Sequence, residues 1–422
     1  MTITAAAGSL DDDVTIWLTP GHPDRGHLID DPYALFDRLR DEAPVYKSLP
    51  GPWFVTRFGD VLQSLREPGF SRDASRAMNR HLGSATGDEP LSEESTERLF
   101  ETWMLYSDPP AHERLRRMMN QAFLPKAVER WSVRVEEIAR ELLDPLREQD
   151  EFDLLECYGS QLPLRVICEM IGMPSDRAAD LASWSHTIVL LQEPGERSPA
   201  FEAQAKASLD ECFDYFRELV AEKRRHPGDD IISILLESEQ AEANPATERE
   251  IVGACILLNV AGQETTMHRI SNGTLYLLTN PDQHRALRDD LSLMPNAIEE
   301  ILRYSSVNAL PRYATRDVRI GDQVVPEGDI VLPVLGAANR DPAFFDEPHR
   351  FDIRRPNARD HLTFGNGIHY CLGVHLARLE ANTAMTVLYR DAPELELVDE
   401  KPQWRDTFTA RSLQRMPVRW AE

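Results

Sequence analysis

Cysteine is scarce in this chain, with five in 422 residues, at 157, 168, 212, 255 and 371. The count is odd and no two stand at a paired spacing, so a disulfide framework is excluded and a reducing, cytoplasmic setting is expected. Equally missing is any run of about 20 apolar residues able to cross a bilayer. Met1 to Asp13 is small and acidic, without the charged region and apolar core of an export signal. Positive charge is in deficit: 46 Lys and Arg against 71 Asp and Glu leave a net charge of −25, which argues against nucleic acid and anionic membranes as partners. No Gly/Ser linker, low-complexity tract or internal repeat divides the chain. No Gly-x-Gly-x-x-Gly opens a helix after a strand and no cysteine cluster is present, so neither a flavin nor an iron-sulfur module is encoded.

What the chain does hold is a cysteine in an unusual place. Phe364-Gly365-Asn366-Gly367-Ile368-His369-Tyr370-Cys371-Leu372-Gly373 rings Cys371 with glycines. Leu372, Leu376, Leu379, Thr383 and Val387 then recur at helical steps, with no proline before Pro393. Cys371 is thus expected at a helix N-terminus, where unpaired backbone N–H groups and the helix dipole favour a thiolate and lower the thiol pKa. Glycines at 365 and 367 cost about 0.5–1 kcal/mol each in chain entropy. In return they allow unusual dihedrals and the close approach of a flat ligand.

A second segment runs from Thr247 to Asn280. Thr247 and Glu250 form a capping box, an almost unbroken apolar run from Ile251 through Ala261 follows, and Asn280-Pro281 stops the helix. Apolar on most faces, such a helix is buried, and its length predicts a reach of roughly 50 Å. Its middle carries Gly262, Glu264, Thr265 and Thr266. A mid-helix glycine costs about 1 kcal/mol relative to alanine, and an unpaired carboxylate in such surroundings costs several more. Local rules broken together mark a functional place.

On these residues the chain resembles the cytochrome P450 superfamily. Phe364, Gly367, Cys371 and Gly373 match the pattern Phe-x-x-Gly-x-x-x-Cys-x-Gly of its haem-binding loop, and Ala261-Gly262-Gln263-Glu264-Thr265-Thr266 resembles its oxygen-activation motif. A third match is Glu300-x-x-Arg303, with Phe351, Asp352 and Arg355 further on. The resemblance implies a mainly α fold with a small β region, one triangular domain over residues 1–422 with a long central helix over the haem, and a flexible segment at 1–20. It implies haem b, an iron protoporphyrin IX, held by the Cys371 thiolate, with Phe364, Gly365, Gly373 and Ala261 around the ring. His112, Arg116, Arg312 and His369 would meet the two propionates, a task that suits arginine's planar fork. Glu264 would be the proton-relay acid and Thr265 the hydroxyl beside it. Glu300, Arg303 and Arg355 are structural, locking the core beneath the haem.

The activity so implied is a monooxygenase that inserts one oxygen atom from O2 into a hydrophobic small molecule, by hydroxylation, in bacterial secondary metabolism. Phenol coupling and epoxidation remain open alternatives. Electrons would come from NAD(P)H through ferredoxin reductase and ferredoxin. The segment His112 to Arg134, with Arg114, Arg116, Arg117, Lys126, Arg130 and Arg134, is the expected docking surface for an acidic ferredoxin. By the same resemblance the substrate pocket draws on the stretch from Met78 to Glu101, and on Leu257, Val260, Ala261, Asn308, Leu310 and Phe408. Two rival readings stand beside this one. His361, His369, Cys371 and His375 could form a zinc site, since Cys371 and His375 lie one helical turn apart, but that leaves the acid–alcohol pair without a role. A haem sensor or carrier would have no use for Glu264 and Thr265.

Overall fold

The longest element is the helix Glu248–Leu278, of 31 residues, or about 46 Å at 1.5 Å per residue. Its start is the capping box expected from sequence: the Glu250 N–H donates to Thr247 Oγ1 at 3.2 Å, and the Thr247 N–H donates to the Glu250 carboxylate at 2.7 Å. It belongs to a computed structural model that describes residues 9–49, 51–73, 96–193, 198–240, 244–306, 311–392, 395–399, 401–407 and 411–421. Around the long helix pack the helices Gln161–Ile171, Ala178–Gln192, Pro199–Arg225 and Val374–Asp391. Their apolar faces make one core, in which Ile167, Phe216, Ile256, Met385 and Leu388 are all buried.

The β structure is small and lies to one side. Five short strands run in the order Val45–Lys47, Trp53–Val55, Ile330–Pro333, Arg312–Ala314, Phe70–Ser71. Every pairing is antiparallel except Trp53–Val55 with Ile330–Pro333. Val55, Phe70, Ala314 and Val331 face a second core shared with the helix Phe58–Arg66. The register that sets Arg312 opposite Val331 also fixes where the Arg312 side chain can reach. Val318–Ile320 and Gln323–Val325 form a hairpin, and a three-stranded and a two-stranded sheet complete the set. A mainly helical fold with a little sheet is what the sequence predicts.

Some boundaries differ. The segment expected to be flexible up to residue 20 is helical from Leu10 to Leu18, with Val14 and Trp17 buried and Trp17 packed edge-on to Phe36 at 5.1 Å. Ser9 and Asp12 form a capping box there, and the three-residue step from Val14 to Trp17 is an apolar stripe that a reading for charge alone passes over. The stretch 125–148 is divided into the helices Pro125–Glu129 and Ser132–Leu143, then tightens to a 3-10 turn over Asp144–Glu148. Pro145, lacking an N–H, accounts for that last change.

Candidate active site

The glycine loop folds back on itself before the helix begins. The Cys371 N–H donates to the Phe364 carbonyl at 2.9 Å and the Tyr370 N–H to the Gly367 carbonyl at 3.1 Å. Gly367 has φ +72°, and a Cβ there would come within 2.8 Å of the Leu65 carbonyl, so both the dihedral and the close approach require glycine. The helix starts at Val374 with Gly373 as its N-cap, which leaves Cys371 just ahead of the helix rather than in its first turn. Burial pushes the Cys371 thiol pKa up, outweighing the Gly373 N–H and the charges of Arg116 and Arg378, which pull it down. The lowered pKa expected from the helix terminus is thus overridden by desolvation. A bound cation would reverse this, because metal coordination deprotonates a thiol outright.

The long helix opens at one place only. From Ile251 to Leu277 every residue is buried except Ala261, Gly262, Glu264 and Thr265. A Cβ on Gly262 would stand 3.3 Å from Ile167 Cδ1, so the glycine lets the Gln161–Ile171 helix close in. Thr265 Oγ1 donates to the Ala261 carbonyl at 2.8 Å. Glu264 is only 14% exposed; burial raises its pKa, opposed by Arg405 and His186. His268, one turn on, lies 3.6 Å from it and is held neutral, its pKa pushed down to about 3 by burial first and then by Arg269 and Arg405. The helix therefore presents a carboxyl whose pKa burial raises, followed in sequence by a hydroxyl, at the gap in its packing. Thr266 ties it to the helix after Cys371 through a hydrogen bond with Glu380.

Beside the glycine loop lies a cluster rich in basic side chains, with the charge of Asp108 acting on Arg72, His112 and Arg312. His112 is 1% exposed and neither ring nitrogen has a partner; its ring meets that of His369 at 4.5 Å. Arg312 is buried with Nε unpartnered, and burial, then the charge of Arg72, push its pKa down to about 9. Arg72 is likewise buried, with Nε and one terminal nitrogen unpartnered. Burial first, then Arg72, His112, Arg312 and Arg116, push the His369 pKa down to about 2. Like charges collected in low dielectric cost several kcal/mol per ion unless an anion joins them. A dianionic ligand with two carboxylates, such as haem with its propionates, fits this cluster. Arg116 differs from the rest: it donates to the Tyr370 carbonyl at 2.7 Å, beside Cys371.

Arg72 was not foreseen, because a lone arginine after a two-residue strand carries no sequence signal. Glu380 was missed for a similar reason: only the fold shows that it is 1% exposed, with one oxygen unpartnered. The ion triad, in contrast, is more than the surface pair its spacing suggests. Glu300 and Arg303 are fully buried, Arg303 meets both Glu300 oxygens at 2.7 and 2.8 Å, and Arg355 Nε lies 3.1 and 3.2 Å from the same carboxylate. Their remaining donors hold the carbonyls of Asn339, Pro348, Glu347 and Arg350.

The zinc alternative fails. His361 is bonded to Glu299 at 3.2 Å, His375 is exposed, and among the described residues no group of three or more His, Cys, Asp or Glu could hold a metal ion. Leu257 and Val260 are buried on the long helix before Ala261. Asn308, Leu310, Phe408 and the stretch 78–95 lie outside the described residues. The basic segment is also narrower than its sequence: Arg114 is ion-paired with Glu250, and Arg134 with Glu137, Glu141 and Glu169. Lys126 and Arg130 are exposed. Among the described residues, no helix is long and apolar enough to cross a membrane.

Known proteins resemble this chain over most of its length. The Cytochrome P450 family profile matches residues 71–391. Cytochrome P450 107B1 of Saccharopolyspora erythraea is 40% identical over 400 residues, covering 92% of this chain and 95% of that protein. Polyketide biosynthesis cytochrome P450 PksS of Bacillus subtilis is 32% identical over 409 residues, covering 94% and 98%. The solved structure of the tirandamycin C-bound P450 monooxygenase TamI superposes with a TM-score of 0.82 at 37% identity, covering 94% of this chain and 98% of that one. With a thiol in a glycine loop, an acid–alcohol gap in the long helix, a basic cluster that suits a dianion, and these relatives, the chain belongs to the cytochrome P450 family and is a haem monooxygenase that draws its electrons from external redox partners.

Proposed function

We propose that Cys371 is the axial ligand of a haem b, and that the enzyme hydroxylates a hydrophobic small molecule in natural-product metabolism with electrons from NAD(P)H, relayed by ferredoxin reductase and ferredoxin. The observation that carries this reading is that between Ile251 and Leu277 the long helix is buried except at Ala261, Gly262, Glu264 and Thr265. When bound, haem supplies the redox chemistry that activates dioxygen. The chain's own residues do the rest. Arg72, His112, Arg312 and His369 neutralise the propionates, with Arg116 reaching from the Cys371 side. Ala261 and Gly262 keep the gap clear. Glu264, whose buried carboxyl favours the protonated form, passes a proton to the Thr265 hydroxyl, which delivers it where dioxygen is reduced. Leu257 and Val260, buried on the long helix just before Ala261, line the substrate space.

The name of the Bacillus subtilis relative, which refers to polyketide biosynthesis, and the tirandamycin C held by the solved homologue support a natural product as substrate. Exposed Leu124 stands near exposed Lys126 and Arg130 in sequence, and Arg116, on the preceding helix Ala111–Phe123, donates to the carbonyl of Tyr370, which like Ile368 is exposed. This mixed basic and apolar face suits an acidic ferredoxin. We assign the whole chain to one domain. Turnover with NAD(P)H, a ferredoxin pair and heavy-isotope dioxygen tests the proposal: one labelled atom should enter the product and the other should enter water. Product oxygen drawn from solvent would refute it.

A further inference from the structure

A cavity of about 40 Å³ lies between the N-terminal helices and the Gln403–Trp404/Leu413–Arg415 hairpin. Trp17, Tyr33 and Trp404 form its aromatic walls, and Arg25, Arg405 and Arg411 bring three positive charges to it. In a chain of net charge −25 such a concentration stands out. Arg25 is 1% exposed and ion-paired with Asp406, with Nε left unpartnered. Arg411 stacks over Trp404 at 3.8 Å and donates to the carbonyls of Ile29 and Asp30 at 2.9 and 2.6 Å; its buried Nε is also unpartnered. Among the described residues neither Arg405 nor Arg411 forms an ion pair with a carboxylate.

We infer that this cavity receives the carboxylate of an amphipathic substrate, with Arg405 as the fork that binds it and Arg25 and Arg411 as the positive walls. The space suits that group: at about 10–15 Å³ per water-sized probe it holds roughly three heavy atoms, the number in a carboxylate, and cannot take the substrate's body. The cavity is also fastened to the long helix that carries the reaction site. Asn272 on the long helix donates to Ser305 Oγ at 2.7 Å and to the Arg411 carbonyl at 2.8 Å, beside the lining residues Ser306 and Arg411. Asn272 lies beyond Thr265 and Ala261 on that helix, roughly 10–17 Å along the axis at 1.5 Å per residue. A substrate anchored at Arg405 must therefore carry an apolar body that brings a C–H bond to the gap at Ala261. Arg405 is close enough to the same site for its charge to act on both Glu264 and His268. This inference rests on the monooxygenase reading and narrows its substrate to amphipathic carboxylic acids.

The test measures binding of dodecanoate and of dodecan-1-ol to the haem-loaded enzyme at neutral pH, by spectral titration and, independently of the haem, by equilibrium dialysis. Dodecanoate should bind about tenfold or more tighter than the alcohol, since a charge-assisted bidentate contact is lost with the carboxylate. Arg405→Gln should remove that preference by weakening dodecanoate alone, and Arg405→Lys should retain part of it. Equal binding of acid and alcohol by the parent enzyme, or an undiminished preference in Arg405→Gln, would overturn the inference. The reduced carbon monoxide spectrum separates the two levels: its thiolate band should persist in both variants, and its absence from the parent enzyme would count against the haem-thiolate reading instead.

Discussion

Thr265 Oγ1 donates to the Ala261 carbonyl at 2.8 Å, one turn back on the long helix. That bond spends the hydroxyl's only proton on the helix itself, so the group must turn away from Ala261 before it can donate into the gap.

Replacing Thr265 by alanine removes the relay without changing the cysteine loop or the cation cluster. Thr265→Ala should therefore bind haem and substrate normally while consumed dioxygen leaks as hydrogen peroxide, and Thr265→Ser should restore coupling. Product and peroxide measured per NAD(P)H give the answer. Unchanged coupling in the alanine variant would make the hydroxyl a helix-capping group only.

Glu264→Gln keeps the size of the side chain and removes its acid. Positioned proton transfer contributes about 10²–10⁴-fold, and turnover should fall by an amount in that range, with a larger solvent isotope effect. Haem content should not change. A variant that turns over at the parent rate would show that protons arrive by another route.

Glu380 gives a pH prediction. Burial holds its pKa well above the ordinary 4.5, against the hydrogen bond with Thr266. The folded state therefore keeps a proton that the unfolded state releases above about pH 4.5. Stability contributed by this group is full below that pH and declines as pH rises towards the folded pKa. Glu380→Gln, neutral at every pH, should flatten the fall of the unfolding midpoint between mildly acidic and mildly alkaline pH. An identical pH slope in both proteins would mean that Glu380 is ionised and solvated.

The Glu300 carboxylate, shared by two guanidinium groups at 0% exposure, predicts a large structural effect. Glu300→Gln leaves both arginines without their counter-charge and should cost about 3–5 kcal/mol in denaturant unfolding. A loss below about 1 kcal/mol, the worth of a surface pair, would contradict the burial seen here.

Sequence alone reached the long helix to within a residue at its start, because a capping box and an apolar run are local signals. It reached Cys371, Glu264 and Thr265 because each breaks a local rule inside a recognisable pattern. The fold was needed for Arg72 and Glu380, whose importance comes only from burial beside groups distant in sequence. It was needed equally to subtract Arg114 and Arg134 from the basic surface, since Glu250 and Glu169, their partners, are not neighbours in the chain. Short strands such as Arg312–Ala314 leave too few residues for alternation to show, although that strand aims a buried arginine at the site. Cys371 teaches the opposite lesson: the helix-terminus argument favours the thiolate, and desolvation, which no local pattern displays, outweighs it until a metal is bound.

Everything above turns on Cys371 as the thiolate that holds the haem iron. The most direct measurement is the absorption spectrum of the purified protein, reduced under carbon monoxide. The strongly red-shifted Soret band of thiolate ligation should appear in the parent enzyme and in Cys157→Ala, Cys168→Ala, Cys212→Ala and Cys255→Ala, and should vanish in Cys371→Ala. The same band surviving in Cys371→Ala, or a parent protein that takes up no haem, would contradict the account.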